Sequence, residues 1–265
     1  MANVGLTNLW FGNLTEGNDG TATYDGAKRL AKAVSCDVNI TNNDAKLYAD
    51  DALAESDTSF ASGTITLTTD DDDDAVFAPL LGHTIDESGE VIKASSDTAP
   101  YVGIGRIITK MVNGAYKYKV DFLKKVKFSE GSKSEQTKGE SIEFGTPSTE
   151  GIIACLNDEK GTWNKTKTFT SKADALTYLK NLLAPAGATY RVTFDLMGGE
   201  SATIEDTDVT AGQSINLDDG TGITAPSGKT FAGWATTPNA TSADVTSPYT
   251  PSEDVTLYAL YTSAE

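Results

Sequence analysis

The chain has 265 residues, 38% of them apolar and 22% charged, with a formal net charge of −17. That length accommodates one large or two modest domains, the apolar share excludes wholesale disorder, and the acidity excludes tight general binding of nucleic acid, because like charges repel at long range. Two cysteines, Cys36 and Cys155, are too few for a disulfide framework or a zinc cluster and read as ordinary buried thiols.

Residues 4–40 read as short strands around polar turns. Leu9-Trp10-Phe11 starts one strand and Asn18-Asp19-Gly20 is a turn signal. Ala27 to Ala33 fits a short helix or a strand. Val34, Cys36, Val38 and Ile40 alternate with polar neighbours, the pattern of a half-buried strand. Residues 41–62 lack apolar periodicity and are expected to be a long polar loop, the kind that tends to be functional. Thr64 to Thr69 reads as a strand with Ile65 and Leu67 on one face.

Asp70 to Asp74 is a run of five aspartates without the glycine and distal glutamate of a calcium loop. It reads as a solvated turn whose last aspartate caps a helix from Ala75 to Leu81, kept short by Pro79. His83 is the only histidine. No nucleophile or base can be argued around it, so it reads as structural or exposed.

Residues 101–128 give the clearest pattern. Asn113-Gly114 is a strong hairpin signal. Beyond it, Tyr116, Tyr118, Val120 and Phe122 share one face, and Lys117, Lys119 and Asp121 the other. The alternation resumes with Val126 and Phe128 against Lys125 and Lys127. The expectation is a long two-stranded ribbon with one apolar face, and with Gly103 and Gly105 marking the approach of another backbone. The ribbon region is locally basic: Arg106, Lys110, Lys117, Lys119, Lys124, Lys125, Lys127, Lys133 and Lys138 face only Asp121, Glu130 and Glu135. Its aromatic residues lie on the face opposite the lysines, so the two sets cannot share a nucleic-acid ligand. The lysines are expected to pair with acidic surface on a neighbouring subunit or on the same chain.

Residues 129–150 read as a polar loop leading to a strand at 151–156. Ser171 and Asp174 resemble a capping box. Leu176, Leu179 and Leu183 follow at helical spacing, with Ala175 and Leu182 beside them, and Pro185 and Gly187 end the helix. Its apolar stripe is expected to cover an open sheet face. Ala184-Pro185-Ala186-Gly187-Ala188 reads as a boundary between a domain at 1–184, a linker at 185–189 and a domain at 190–265. Beyond it, Tyr190, Val192 and Phe194 alternate, Gly198-Gly199 and Ala211-Gly212 turn the chain, and 231–234 and 255–261 are further strands. From residue 188 onward, two basic residues stand against eleven acidic ones, so both parts carry negative charge.

Residues 1 to about 160 resemble the major tail tube proteins of long-tailed bacteriophages. The resemblance rests on Ala2-Asn3-Val4-Gly5-Leu6, Leu47-Tyr48-Ala49-Asp50-Asp51, Leu81-Gly82-His83-Thr84, Ala99-Pro100-Tyr101-Val102 and a turn at Lys127-Phe128-Ser129; the aspartate run departs from the pattern. It implies a mainly β fold, a β-sandwich with a flanking helix and a long hairpin. It further implies a virion protein, made in the host cytoplasm, whose hexameric rings stack into a tube. Through that tube DNA leaves without specific binding. Its partners would be copies of itself and other tail proteins such as the tape measure and the terminator. Carried onto this chain, Leu47, Tyr48, Asp50, Asp51, Glu55, Tyr101, Lys117 and Lys119 would be subunit contacts.

Residues 188–265 resemble the internalin-type B-repeat, a small β-grasp-like surface module. The carrying residues are Tyr190-Arg191-Val192-Thr193-Phe194-Asp195, Gly198-Gly199, Phe231-Ala232-Gly233-Trp234 and Leu257-Tyr258-Ala259. The resemblance implies that Tyr190, Phe194, Phe231, Trp234 and Tyr258 are core residues and that the unit decorates a surface, in weak contact with a host envelope. A bacterial surface adhesin of two β-modules is the alternative. Met1-Ala2-Asn3-Val4-Gly5 lacks the basic and apolar segments of a secretory signal, which disfavours it. No membrane insertion, enzyme activity, metal or cofactor is expected, since no spacing selects a carboxylate pair or a ligand cluster.

Overall fold

The computed structural model describes residues 2–131 and 145–264. The chain is mainly β and divides into two units, one ending at Pro185 and one starting at Ala186. The expected basic residues Lys133 and Lys138 and most of the expected loop at 129–150 lie outside the described residues.

In the first unit the strands are β1 (Ala2–Glu16), β2 (Ala22–Arg29), β3 (Ala33–Asn42), β4 (Ala45–Ala49), β5 (Ala52–Asp57) and β6 (Phe60–Thr69). Helix α1 (Asp74–Leu81), β7 (Thr84–Ile85), β8 (Val91–Ile92), β9 (Tyr101–Val112), β10 (Ala115–Ser129), β11 (Ser148–Ile153), β12 (Asn164–Phe169) and α2 (Lys172–Leu182) follow. The main sheet runs β2-β1-β9-β10-β11-β6-β3, and β12 joins the stretch of β10 that β11 leaves free.

The β9–β10 hairpin turns at Asn113 and Gly114, both at positive φ, with Val112 paired to Ala115. This is the two-residue turn whose twist suits a hairpin. A register shift between Leu123 and Val126 coincides with the break in alternation, as an extra residue in one strand requires. The expectation of one apolar face is corrected: short of its tip, both faces of the ribbon are covered. On one side Val102, Ile104, Leu123, Val126 and Phe128 join Leu9 and Phe11 of β1, Ile65 and Leu67 of β6 and Phe77, Leu80 and Leu81 of α1. On the other, Ile107, Val120 and Phe122 meet Tyr24 of β2 and Ala175, Leu179 and Leu183 of the α2 segment. The sheet therefore curls, and Arg106 of β9 reaches Cys36 of β3, four positions away in strand order.

Gly103 and Gly105 admit side chains, not the backbone expected there. A Cβ on Gly103 would lie 2.4 Å from the Tyr24 ring and 2.7 Å from Phe122, and one on Gly105 would lie 2.1 Å from Leu179. The apolar side of the ribbon closes at its polar end with a buried ion pair. Arg106 (9% exposed) donates from Nη2 to Asp121 Oδ2 (8% exposed) at 2.8 Å and from Nη1 to Cys36 Sγ at 2.9 Å, and Asn164 Nδ2 donates to Asp121 Oδ1 at 2.6 Å. Burial pushes the Cys36 thiol up to about 11, so it stays protonated at neutral pH.

Several local expectations shift. The undecided segment at 27–33 is strand to Arg29 and strand again from Ala33. Val34 is exposed although it belongs to the alternating set, because the register of β3 slips between Ala33 and Ser35. The cap of α1 is Asp73, whose carboxylate accepts from Ala75 N, not Asp74, and Gly82 ends the helix at φ 79°. Lys127-Phe128-Ser129 is strand, not turn. The expected strand at 151–156 runs Ser148–Ile153. Helix α2 starts at the Ser171 cap, whose hydroxyl accepts from Asp174 N, and its stripe covers the sheet as expected.

The second unit has β13 (Thr189–Asp195), β14 (Thr207–Thr210), β15 (Lys229–Ala235) and β16 (Val255–Ser263) in the order β14-β13-β16-β15, with β13 and β16 parallel and the other pairs antiparallel. No described residue of this unit is helical. Irregular segments carrying Ile204, Ile215, Leu217, Ile223, Val245 and Tyr249 cover its apolar face instead.

Two substitutions test this core. Gly103→Ala forces the Tyr24 and Phe122 rings apart and should cost about 1–3 kcal/mol. Asp121→Ala strands a buried guanidinium and should cost about 3–5 kcal/mol. Urea unfolding midpoints measured on both variants and the parent check these values, and a shift near zero for Asp121→Ala would exclude a structural role for the pair.

Candidate interaction surfaces

The expected polar loop at 41–62 is instead a free-standing hairpin. Ala49 pairs with Ala52 across Asp50 and Asp51, both at positive φ (49° and 57°). Aspartate tolerates that backbone because its short carboxylate bonds locally. At the hairpin base Asn43 N donates to Ser59 O at 2.7 Å and Asn43 Nδ2 to Ser59 Oγ at 2.8 Å. Every residue of β4 and β5 is exposed, including Leu47 (60%), Tyr48 (65%) and Leu53 (52%). Tyr48 lies opposite Leu53, and Leu47 lies opposite Glu55. A lone two-stranded ribbon is marginal in water, and paired apolar side chains open to solvent make this hairpin a candidate contact surface.

The tip of the β9–β10 hairpin is a second such surface. Met111 and Tyr116 are paired and exposed on one face. On the other, Lys110 sits opposite Lys117, and Ile108 opposite Lys119. Tyr101, also expected at a contact, lies at the far end of the same hairpin, half exposed, with Lys125 and Lys127 5.0 and 5.5 Å from its ring centroid. Of the basic residues expected to seek acidic surface, Lys125 finds it within the chain, 2.5 Å from Glu16, and Arg106 finds Asp121. The structure thus gathers Leu47, Tyr48, Asp50, Asp51 and Glu55 on one hairpin, places Lys117 and Lys119 on another, and sets Tyr101 apart from both.

His83, for which the sequence offered no partner, sits in a charged network. Its Nδ1 is 2.7 Å from Asp97 Oδ2 and its Nε2 2.7 Å from Glu130 Oε1, with its side chain 8% exposed. Lys93 Nζ lies 2.9 Å from the same Glu130 oxygen and 3.7 Å from Asp74. Two acceptor oxygens on the two ring nitrogens require a proton on each. The Asp97 hydrogen bond raises the imidazole pKa most, burial opposes it, and Glu130 adds to the rise, so it lies above the ordinary 6.5. Asp97 is held low by the Ala94 amide and then by His83, and Glu130 by Lys93 and then, against burial, by His83. The partners come from chain positions 14 and 47 residues away, beyond the reach of any local motif.

In the second unit Trp234 is buried and donates from Nε1 to Asp218 O at 2.9 Å, with Phe194 and Phe231 edge-on to its ring. Tyr258 is not in this core. Leu257 and Ala259 point inward, so the residue between them falls on the opposite face. Tyr190 is half-buried, and burial first, then Glu253 and Asp254, raises its pKa. A cleft in the cover of this sheet is lined by Phe194, Ile204, Ile215, Leu217, Asp218 and Trp234. Among the described residues of the whole chain, no group of His, Cys, Asp and Glu is arranged to hold a metal, and no helix is long and apolar enough to cross a membrane.

Comparison with known families adds one finding. The Listeria-Bacteroides repeat domain matches residues 190–260, which fits the repeat expected at the C-terminal end. No curated protein matches the chain.

The sign of the histidine effect follows from its raised pKa. The stabilisation it provides is complete below about pH 6.5 and declines as pH rises through the folded-state value. With a single histidine, its imidazole resonances report that value directly and should titrate above 6.5. The stability lost on His83→Ala should be largest near pH 5.5 and shrink in alkali. A titration at or below 6.5 would show that the two carboxylates do not hold an imidazolium.

Proposed function

We propose that this chain is a structural subunit that works by binding copies of itself, as the subunit of a phage tail tube built from stacked hexameric rings. The observation that carries the reading is the β4–β5 hairpin, an acidic ribbon whose Leu47, Tyr48 and Leu53 have no cover among the described residues. Three further features support it. The sequence motifs of the first unit resemble tail tube proteins, the mainly β first unit has the flanking helix and long hairpin expected of them, and no reaction centre emerged from the sequence. In this reading the net charge of −17 keeps DNA from adhering as it slides through the lumen. Other tail proteins such as the tape measure and the terminator are its further partners, and the second unit decorates the tube, in weak contact with a host envelope. The protein works in the virion and has no catalytic role. The match of residues 190–260 to a bacterial repeat family favours a second reading, a cell-surface adhesin.

Negative-stain microscopy of concentrated protein separates the two. Hollow rings or tubes are expected. A chain ending at Gly187 should assemble equally well, whereas deletion of 44–57 should leave monomers. Monomers at every concentration and ionic strength, together with recovery of the protein from a bacterial cell wall, would replace the tube reading with the adhesin.

A further inference from the structure

Along one face of the β9–β10 ribbon the cations pass from paired to unpaired. Arg106 opposes Asp121 and is bonded to it in the interior. One step outward Ile108 opposes Lys119, with Leu6 of β1 on its other side. Two residues further, Lys110 opposes Lys117 directly. Like charges facing each other across a strand pair weaken it. Among the described residues no carboxylate forms an ion pair with Lys110, Lys117 or Lys119. The row ends as a patch of three cations around an apolar centre, with the ribbon's own strands unable to neutralise it.

The β4–β5 hairpin has the opposite character. Between 44 and 57 it carries Asp44, Asp50, Asp51, Glu55 and Asp57 against a single lysine, Lys46, which Asp44 already holds at 2.8 Å. One face presents Leu47 beside Glu55, and the tip presents Asp50 and Asp51. No described part of its own chain covers this face, since each residue of both strands is exposed.

We infer that these two surfaces are each other's partners between copies. The Leu47–Glu55 face and the Asp50–Asp51 tip of one subunit dock on the Lys110–Lys117–Lys119 face of another, with Leu47 over Ile108 and Leu6. This rests on the self-association proposed above and adds which surface meets which. The surfaces differ, so each subunit offers one donor and one acceptor hairpin, and a head-to-tail contact of this kind propagates to closed rings or stacked arrays. Opposite charges bring the hairpins together and fix their register, while the apolar centres supply the burial.

Charge exchange tests the pairing. One variant carries Asp50→Asn, Asp51→Asn and Glu55→Lys, keeping asparagine where the backbone has positive φ; the other carries Lys117→Glu and Lys119→Glu. Each alone should lose assembly in sedimentation velocity while keeping the parent circular dichroism and melting temperature. An equimolar mixture should regain it, and high salt should weaken assembly of the parent. If either variant unfolds, Glu55→Lys and Lys117→Glu as single substitutions carry the same mixing test. A parent that assembles alongside variants that also assemble, or folded variants whose mixture stays dispersed, overturns the pairing and leaves self-association standing. A parent that never assembles overturns both.

Discussion

The first unit depends on a strand pair whose two faces are both buried. A half-buried ribbon needs one layer; β9 and β10 have two, the curled sheet with α1 on one side and α2 with Tyr24 on the other. That demand explains local features that would otherwise look unrelated. Gly103 and Gly105 clear room for the Tyr24, Phe122 and Leu179 side chains. The irregularity between Leu123 and Val126 accommodates one extra residue and restores the inward set beyond it. Full burial of side chains such as Phe122, Leu179 and Leu183 is worth about 1.5–3 kcal/mol each. The layers on β9–β10 are therefore the main source of stability, with Arg106 and Asp121 satisfying each other where the apolar lining ends.

Stability is unevenly distributed as a result. The centre is layered and closely packed, whereas the β4–β5 hairpin has no layer among the described residues and is tied down by the Asn43–Ser59 bonds at its base. Segments with exposed backbone pairs and few apolar contacts open at low free-energy cost, so ordering this hairpin falls to whatever covers it. The charges follow the same division. Cations near the centre, Arg106 and Lys125, have carboxylates of their own chain, while those at the hairpin tip have none among the described residues.

The second unit is built on a different plan. Its central strands are parallel, its cover is irregular, and its core is anchored on Trp234, which is held by Asp218 and flanked by Phe194 and Phe231. Aspartates bonded to nearby amides, such as Asp218 to Gly220 and Gly222 and Asp244 to Thr236, hold the irregular cover where a helix would otherwise supply its own hydrogen bonds. This gives residues 190–260, the part that matches the repeat family, a core independent of the first unit.

Whatever depends on neighbours along the chain was legible before any fold: the Asn113-Gly114 turn, the alternation of β10 and its break, the α2 cap and stripe, β13, β15 and β16 of the second unit, though not β14, and the mainly β class. Turn backbone, period and capping act within a few residues, so they are written locally. Tertiary structure alone decided which faces are covered and which groups meet. Asp121 looks like a solvent-side residue until Asn164 of β12 and Arg106, itself bonded to Cys36 of β3, enclose it. His83 looks solitary until Asp97 and Glu130 arrive from distant positions. The β4–β5 hairpin has no periodic pattern because neither face is buried, and a strand without a buried face leaves no alternation to read. Val34 and Tyr258 point away from the cores for the same kind of reason, since one register slip or one step of alternation reverses a side chain while hydrophobicity along the chain stays the same.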